Sequence, residues 1–549
     1  MRCKIGSIVG YSVRFEECFD SKTKIKFVTE GLLVKEWLLN PQLKNYSTLI
    51  IDEAHERSSN TDIILSLIRN QIILKLDIKI ILMSATIDTE KFSQFLFNCP
   101  VFSIPGRCFS IKSFYSRITP KNFLYITLKI IFKILKKTLK GNILIFLRGK
   151  KDIDKLGYIL FCFRKNQIVD KNYEIFPLFS ELSTKNQIDL IEKFSIKRKI
   201  ILATNVAEAS ITLSNVKFVI DNGISNFNFF DPRWNHEKIT SLPIHRINSY
   251  QRSGRTGRTT CGRCFRLYTK WSLKYELGEY IIPEIKRIDI SSTILFFKSI
   301  GLKKFNYLQW LDSPSNNLIL TGLKMLYLLG AINKINKLTV LGRKLVELPL
   351  KPMLGKSLLI SHKFDCKKEI LYFSCISSIS NLKINNQTVR SFNPVVSKKG
   401  SDHLIYAEIF KKWKKIKYTS LSYVKENRTF NDFKLAENIE FQLLSTLKKL
   451  INNKIIKIEK DTNKALLSGF FLNTAKHIKN GCYSPLFSRN DFLFKIHPQS
   501  SINDLNFRPN LILFDQLYFD VKIFMKIITI IKIESFKKFS LLIFSKTGF

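Results

Sequence analysis

The residues best placed for chemistry are Asp52 and Glu53, which end an apolar run in Ser47-Thr-Leu-Ile-Ile-Asp-Glu-Ala-His-Glu-Arg57. A short run of Leu and Ile reads as a strand buried on both faces, as in a parallel sheet. Carboxylates just past its C-terminal end lie in the crevice where open α/β sheets bind ligands. Paired acids there can hold a Mg²⁺ that bridges nucleotide phosphates, and the second can position an attacking water. Taken alone, Asp-Glu is equally compatible with a capped strand end and two solvated acids.

Four more segments follow in order. Lys79-Ile-Ile-Leu-Met83 runs into Ser84-Ala85-Thr86, and Asn142-Ile-Leu-Ile-Phe-Leu147 into Arg148-Gly149-Lys150-Lys151-Asp152-Ile153. Lys199-Ile-Ile-Leu-Ala203 leads into Thr204-Asn205-Val206-Ala207-Glu208-Ala209-Ser210-Ile211-Thr212, then Val216 to Ile220 and Asp221-Asn222-Gly223. Gln251-Arg252-Ser253-Gly254-Arg255-Thr256-Gly257-Arg258 comes last. An Arg-rich, Gly-spaced run alone could be a solvated basic loop. Placed downstream of the others, it resembles motif VI of the DEAH-box RNA helicases, and the preceding segments resemble motifs II, III, IV and V.

The resemblance implies roles. Asp52 and Glu53 would serve Mg²⁺ and the hydrolytic water of an ATP site. His55, Ser84 and Thr86 would couple nucleotide state to domain closure. Gln251, Arg255 and Arg258 would reach the γ-phosphate from a second domain, with Asp221 also on the nucleotide. A planar, permanently charged guanidinium suits that phosphate bidentately. Thr204, Asn205 and Ser210 would face an RNA backbone.

A phosphate-cradling Gly-x-x-x-x-Gly-Lys-Ser/Thr loop is expected before the acidic motif. The sequence has none. Gly355-Lys356-Ser357 has Leu350 where the first glycine belongs and lies far downstream. In the family, Gly10 to Cys18 and Thr29-Glu30-Gly31-Leu32-Leu33 match segments that follow that loop. The expectation is a chain that begins inside its first motor domain, either because the true start lies upstream or because the ATPase has decayed.

Composition bounds the rest. The 549 residues hold 89 Lys+Arg against 44 Asp+Glu, a net charge of +45. Such an excess favours a polyanionic partner through counterion release. The abundance of Lys, Ile, Asn and Phe, with 45 Phe against 21 Gly, also fits codon drift in an AT-rich genome. Ten cysteines form no framework, which fits a reducing compartment. Cys261-Gly-Arg-Cys264 lacks the second pair a zinc site needs. Lysines break the greasiest segments, 125–139 and 521–531, well short of a membrane span. A soluble intracellular protein without membrane partners is expected.

The α/β class follows from alternating strand and helix signals to about residue 270. The resemblance divides the chain into an incomplete RecA-like domain (1–115), a second RecA-like domain (116–277), a winged helix (278–348), a helical ratchet bundle (349–462) and an OB-fold (463–549). Ser401-Asp402-His403 and Trp413 mark the bundle. Ala465 to Phe471 and Ile496-His497-Pro498-Gln-Ser500 mark the last domain, whose Lys522 and Lys526 suit single-strand binding. Each C-terminal piece has an ordinary reading: a turn, a core aromatic, solvated lysines.

Departures from the family pattern are few. Ala209 replaces a threonine, Asn222 and Ile224 stand where Pro and Phe are usual, and Ser253 and Thr256 stand where Ala is usual. Val9 to Glu17 and Phe102 to Arg107 look like the pre-mRNA-splicing members. The expectation is a nuclear (or nucleomorph) monomeric motor that uses ATP and Mg²⁺, acts on pre-mRNA or snRNA, and works with spliceosomal proteins including a G-patch activator. The rival expectation is an ATPase-dead RNA-binding scaffold.

Overall fold

The computed structural model describes residues 3–537 except 14–15, 74–77, 86–88, 107–108, 138–139, 166–172, 180–196, 209–212, 259, 303–304, 306–307, 380–399, 416–426, 452–459, 488–491, 506 and 521. The apolar runs of the sequence become its strands. In the first motor domain, β1 (Val9–Val13) pairs with β2 (Glu16–Cys18) and runs parallel to β3 (Ile25–Val28). The run ending at Asp52 forms β4 (Thr48–Ile51), parallel to β5 (Lys79–Leu82). Helices α1 (Glu30–Leu39), α2 (Ser59–Ile73) and α3 (Thr89–Phe95) complete it.

Strand alternation sorts β4 cleanly. Leu49 and Ile51 face the core that holds Trp37 of α1 and Ile64, Leu65 and Ile68 of α2. The opposite face is apolar as well, yet bare: Ile50 is 56% exposed and Ile81, its partner on β5, 47%. Parallel sheets ordinarily have both faces covered. The purified chain is therefore expected to bind an apolar fluorescent dye, and Ile50→Lys with Ile81→Lys to remove much of that signal. An unchanged signal would place the apolar surface elsewhere.

The second motor domain is a six-stranded sheet in the order β6-β13-β10-β7-β9-β8, and every pairing in it is parallel. The strands are β6 (Ile111–Tyr115), β7 (Asn142–Phe146), β8 (Tyr173–Leu178), β9 (Arg198–Ala203), β10 (Val216–Asp221) and β13 (Gly262–Arg266). Helices α4 (Phe123–Lys137) and α5 (Lys150–Lys165) cover one face through Ile131, Ile134, Ile153, Leu156 and Leu160. The expected boundary at 115/116 is corrected here, because β6 belongs to this sheet and the division falls before Ile111.

Between β10 and α6 (Arg246–Ser253) a hairpin projects, β11 (Ile224–Asp231) with β12 (His236–Pro243). Its tip carries Trp234 against Phe492 and Phe494 of the C-terminal barrel, with ring centroids 4.6 and 5.5 Å away. The hairpin thus ties the second motor domain to the far end of the chain.

Helices α7 (Ser291–Ser299), α8 (Asn316–Leu328) and α9 (Val340–Glu347) build the winged helix, with an Ile332–Leu338 bridge before α9. The bundle follows: α10 (Pro352–Ser361), α11 (Lys367–Ser377), α12 (Asp402–Lys415), α13 (Asn427–Leu450) and α14 (Thr462–Phe470). A Cβ on Gly469 would lie 2.0 Å from the Met353 carbonyl, so only glycine lets α14 cross α10 this closely. Most of α14, expected to open the last domain, therefore packs with the bundle.

The small barrel closes in the order β14-β15-β16-β18-β17, from β14 (Thr474–His477), β15 (Cys482–Pro485), β16 (Phe494–Ile496), β17 (Leu511–Phe519) and β18 (Ile523–Ile530). It is an OB-like fold. Two segments read separately in the sequence meet at its base. Buried Asp402 accepts bonds from Ser500 Oγ (2.7 Å), Ser501 N (3.0 Å) and Ile528 N (2.9 Å), latching bundle to barrel. Among the described residues, no helix is long and apolar enough to cross a membrane.

Candidate nucleotide and RNA site

At the end of β4 the backbone is forced out of extended geometry. Glu53 adopts φ 51° and ψ 35°, a left-handed conformation that costs a non-glycine residue roughly 1–3 kcal/mol. The turn is fixed by Ala54 N donating to Met83 O (3.1 Å) and by Glu53 N donating to Asp52 Oδ1 (2.8 Å). Both acidic side chains are left exposed. Two oxygen-donor groups at a strand end suit Mg²⁺, which takes one or two carboxylates and fills its other positions with phosphate oxygens and water. Asp52 and Glu53 would hold such an ion, which supplies charge neutralisation on the phosphates.

His55 is buried and joins three motifs. Ala85 N donates to His55 Nδ1 (3.3 Å), while Gln251 of the second domain touches Nε2 at 2.6 Å. Burial depresses the imidazole pKa below its usual value, against the pull of Glu53 and Asp52, so the ring is neutral at pH 7. With Nδ1 accepting, the proton sits on Nε2 and is donated to the Gln251 side chain, which requires the amide oxygen to face the ring. Glu53 Oε2, 3.4 Å away, is the second acceptor. The acidic motif, Ala85 and the arginine motif thereby meet in one contact across the cleft. Ser84 lies beside this contact in the chain; Thr86 lies outside the described residues.

Arg255 is buried and its charge is favoured by Glu53, Glu208 and Glu56. Burial and then the Arg258 charge lower its pKa to about 10, while Glu53, Glu208 and Glu56 pull the other way, and it stays cationic at neutral pH. Its Nη2 donates to the main-chain carbonyl of Glu208. Arg258 is exposed. Opposing Arg and carboxylate groups across a cleft between two sheets can clamp a polyphosphate and meet charge that develops during its transfer.

Asp221 behaves differently from its sequence reading. It is wholly buried, with Oδ1 held by Arg252 Nη1 (2.7 Å) and Oδ2 by Tyr268 OH (2.8 Å). Arg252, itself 0% exposed, also bonds Glu208 Oε1 at 2.7 Å. Asn248 Nδ2 occupies Glu208 Oε2 (2.7 Å). The carboxylate is thus an internal strut between motif V and motif VI, not a surface ligand. Glu208, Arg252 and Tyr268 complete this buried network, and the sequence assigns none of them a role by pattern alone. An acid in motif V and an extra arginine in motif VI were the available signal.

Thr204 and Asn205 follow β9 at the same level as the ends of β7 and β10, since Phe146 pairs with both Ala203 and Asp221. Thr204 is half-buried and Asn205 exposed; Ser210 lies outside the described residues.

Comparison with known proteins agrees with this geometry. Residues 3–95 match the DEAD/DEAH box helicase family, 127–260 the helicase conserved C-terminal domain, and 322–350 the winged-helix helicase associated domain (HA2). In order along the chain, these matches are similar to the helicase and helicase-associated domains of DEAD/DEAH box helicases. The fold is also similar to a crystal structure of the E. coli DExH-box NTPase HrpB, with a TM-score of 0.77 and 23% identity over 98% of this chain. The chain spans 61% of the length of that protein.

The acidic motif is also anchored to the winged helix, through Arg57. Arg57, left-handed at φ 51°, bonds Asp62 (2.7 Å) and Asp312 (2.8 Å). Lys91 and Lys286 join Asp312 at 2.7 and 3.0 Å. Burial opposes ionisation of Asp312, but Lys91, Lys286 and Arg57 outweigh it and hold the pKa at about 2. A depressed carboxylate adds stability that is full above its ordinary 3.8 and is lost as pH falls towards 2. Acid titration of thermal stability should show that loss, and Asp312→Asn should flatten it. An unaltered profile would show that other carboxylates govern the acid limb.

Proposed function

We propose that this chain is the motor of an NTP-driven, Mg²⁺-dependent RNA helicase that remodels RNA–protein complexes during pre-mRNA splicing in the nucleus or a nucleomorph. The observation that carries the motor reading is the cleft contact in which His55 joins Ala85 to Gln251. Closure on nucleotide would bring both domains onto RNA, with Thr204, Asn205 and Ser210 on its backbone. Asp52 and Glu53 would hold Mg²⁺ and water, and Arg255 and Arg258 the γ-phosphate of ATP. The RNA-directed part rests on the +45 charge and on the motif V segment. The splicing assignment rests on Val9 to Glu17 and Phe102 to Arg107, and a G-patch peptide is the proposed activator.

The test is steady-state ATPase beside RNA affinity, in a chain joined to a phosphate-binding loop ahead of Met1. Glu53→Gln and Arg258→Ala are each expected to cut turnover by about 10³-fold or more, with RNA affinity little changed. Unaltered hydrolysis in Arg258→Ala would remove that arginine from the site. For the splicing role, recovery of no splicing factor from nuclear extract, where a control helicase recovers one, would count against it.

A further inference from the structure

The outer surface of α4 and α5 is strongly basic. Helix α4 contains no acidic residue, and α5 contains only Asp152 and Asp154. Asp152 is buried and spent on Arg148 (2.7 Å), which leaves Asp154 as the one acid on the exposed side. The two helices lie side by side, joined where the Phe132 and Phe163 rings meet at 5.0 Å. Their solvent faces carry Tyr125, Lys129 and Lys133 from α4 and Lys155, Tyr158 and Lys165 from α5.

The aromatics there do not serve the core. Tyr158 is 71% exposed and Tyr125 52%, with the Lys129 ammonium 4.5 Å above the Tyr125 ring. A surface that is predominantly cationic and interleaved with open aromatic faces suits a single-stranded nucleic acid. Ammonium groups neutralise its phosphates, and any base can stack on a ring. A solvated helix face would not need to leave two tyrosine rings open to water.

The patch is also continuous with the barrel. Lys151, at the start of α5, donates to Tyr518 OH on β17 at 3.3 Å, and Lys526 sits 4.4 Å over that same ring. From Lys151 to Lys165 the helix carries the surface about 21 Å outward, at roughly 1.5 Å per residue. The start of α5 adjoins the ends of β7 and β9, where motifs IV and V lie.

We propose that the outer face of α4 and α5 is a second, sequence-independent binding track for single-stranded RNA, which takes the strand beyond the cleft and the barrel. This rests on the RNA-directed reading above. Tyr158 and Tyr125 are its stacking platforms, and Lys129, Lys133, Lys155 and Lys165 its phosphate contacts.

The test is fluorescence anisotropy of the 549-residue chain with labelled oligouridylates of about 8 and about 24 nucleotides, which bracket the roughly 4–16 nucleotides that one OB fold covers. The unaltered chain should bind the longer strand more tightly. Tyr158→Ala should weaken the longer strand about 5-fold or more, and Tyr158→Phe should restore it. Lys129→Glu with Lys155→Glu should lower the salt slope on the longer strand by about 0.7 per lost contact. The shorter strand should change less than about twofold in every variant. Equal loss on both lengths would show general damage and overturn the track. No loss on either length would overturn it too, and would leave the face to an acidic protein or to solvent. Failure of the unaltered chain to bind either length would overturn the RNA-directed function itself.

Discussion

The 549-residue chain, expressed as it stands, should hydrolyse ATP far below the roughly 10 per second of a median enzyme, even at saturating RNA. The cleft brings Glu53, His55, Gln251 and Arg255 together, but phosphoryl transfer also needs backbone N–H groups and a lysine around the β- and γ-phosphates. No run in the sequence supplies them. Gly355-Lys356-Ser357, the nearest in composition, is buried within α10 of the bundle. Arginines and a water-positioning carboxylate would then act on a nucleotide held weakly and out of line. Turnover near the median rate, lost on Glu53→Gln, would mean that other residues cradle the phosphates.

A second large effect is expected from Arg252→Ala. The guanidinium is fully buried between Glu208 (2.7 Å) and Asp221 (2.7 Å), and burial opposes its charge while those two carboxylates restore it. Removing it strands two buried anions. Breaking one buried pair costs roughly 3–5 kcal/mol. For a domain of this size each kcal/mol moves the melting temperature by about 2–4 °C. The unfolding midpoint of the second motor domain should therefore fall by roughly 6–20 °C. Tyr268→Phe, which removes only one donor to Asp221, should cost roughly 1–3 kcal/mol. A shift below about 2 °C for Arg252→Ala would mean that water reaches Glu208 and Asp221 and the network is not sealed.

The same network shows what the sequence could and could not reveal. Strand ends carrying chemistry were legible, because short Ile and Leu runs that stop at Asp52, Ser84, Arg148 and Thr204 read as parallel strands with polar outlets. The arginine motif was legible through its glycines. The inside of the second domain was not. That Asp221 turns inward depends on Arg252 and Tyr268 reaching it from other elements, and no local pattern records such a meeting. Arg57 with Asp312, and Asp402 with Ser500 and Ser501, are likewise encounters between distant segments. The misplaced domain boundary has a similar cause. Ile111–Tyr115 alternates as an edge strand would, and only its partner β13 reveals which sheet it joins. Thr86 and Ser210 lie outside the described residues.

The proposed action on RNA through its phosphate backbone is tested most directly by the salt dependence of binding. The affinity of the 549-residue chain for a labelled single strand would be measured from low to high salt, with RNAs of unrelated sequence. Log affinity is expected to fall linearly with log salt, by about 0.7 for each phosphate contact, with nearly the same slope for every sequence. A flat response would contradict it and would show that the +45 charge has no bearing on RNA.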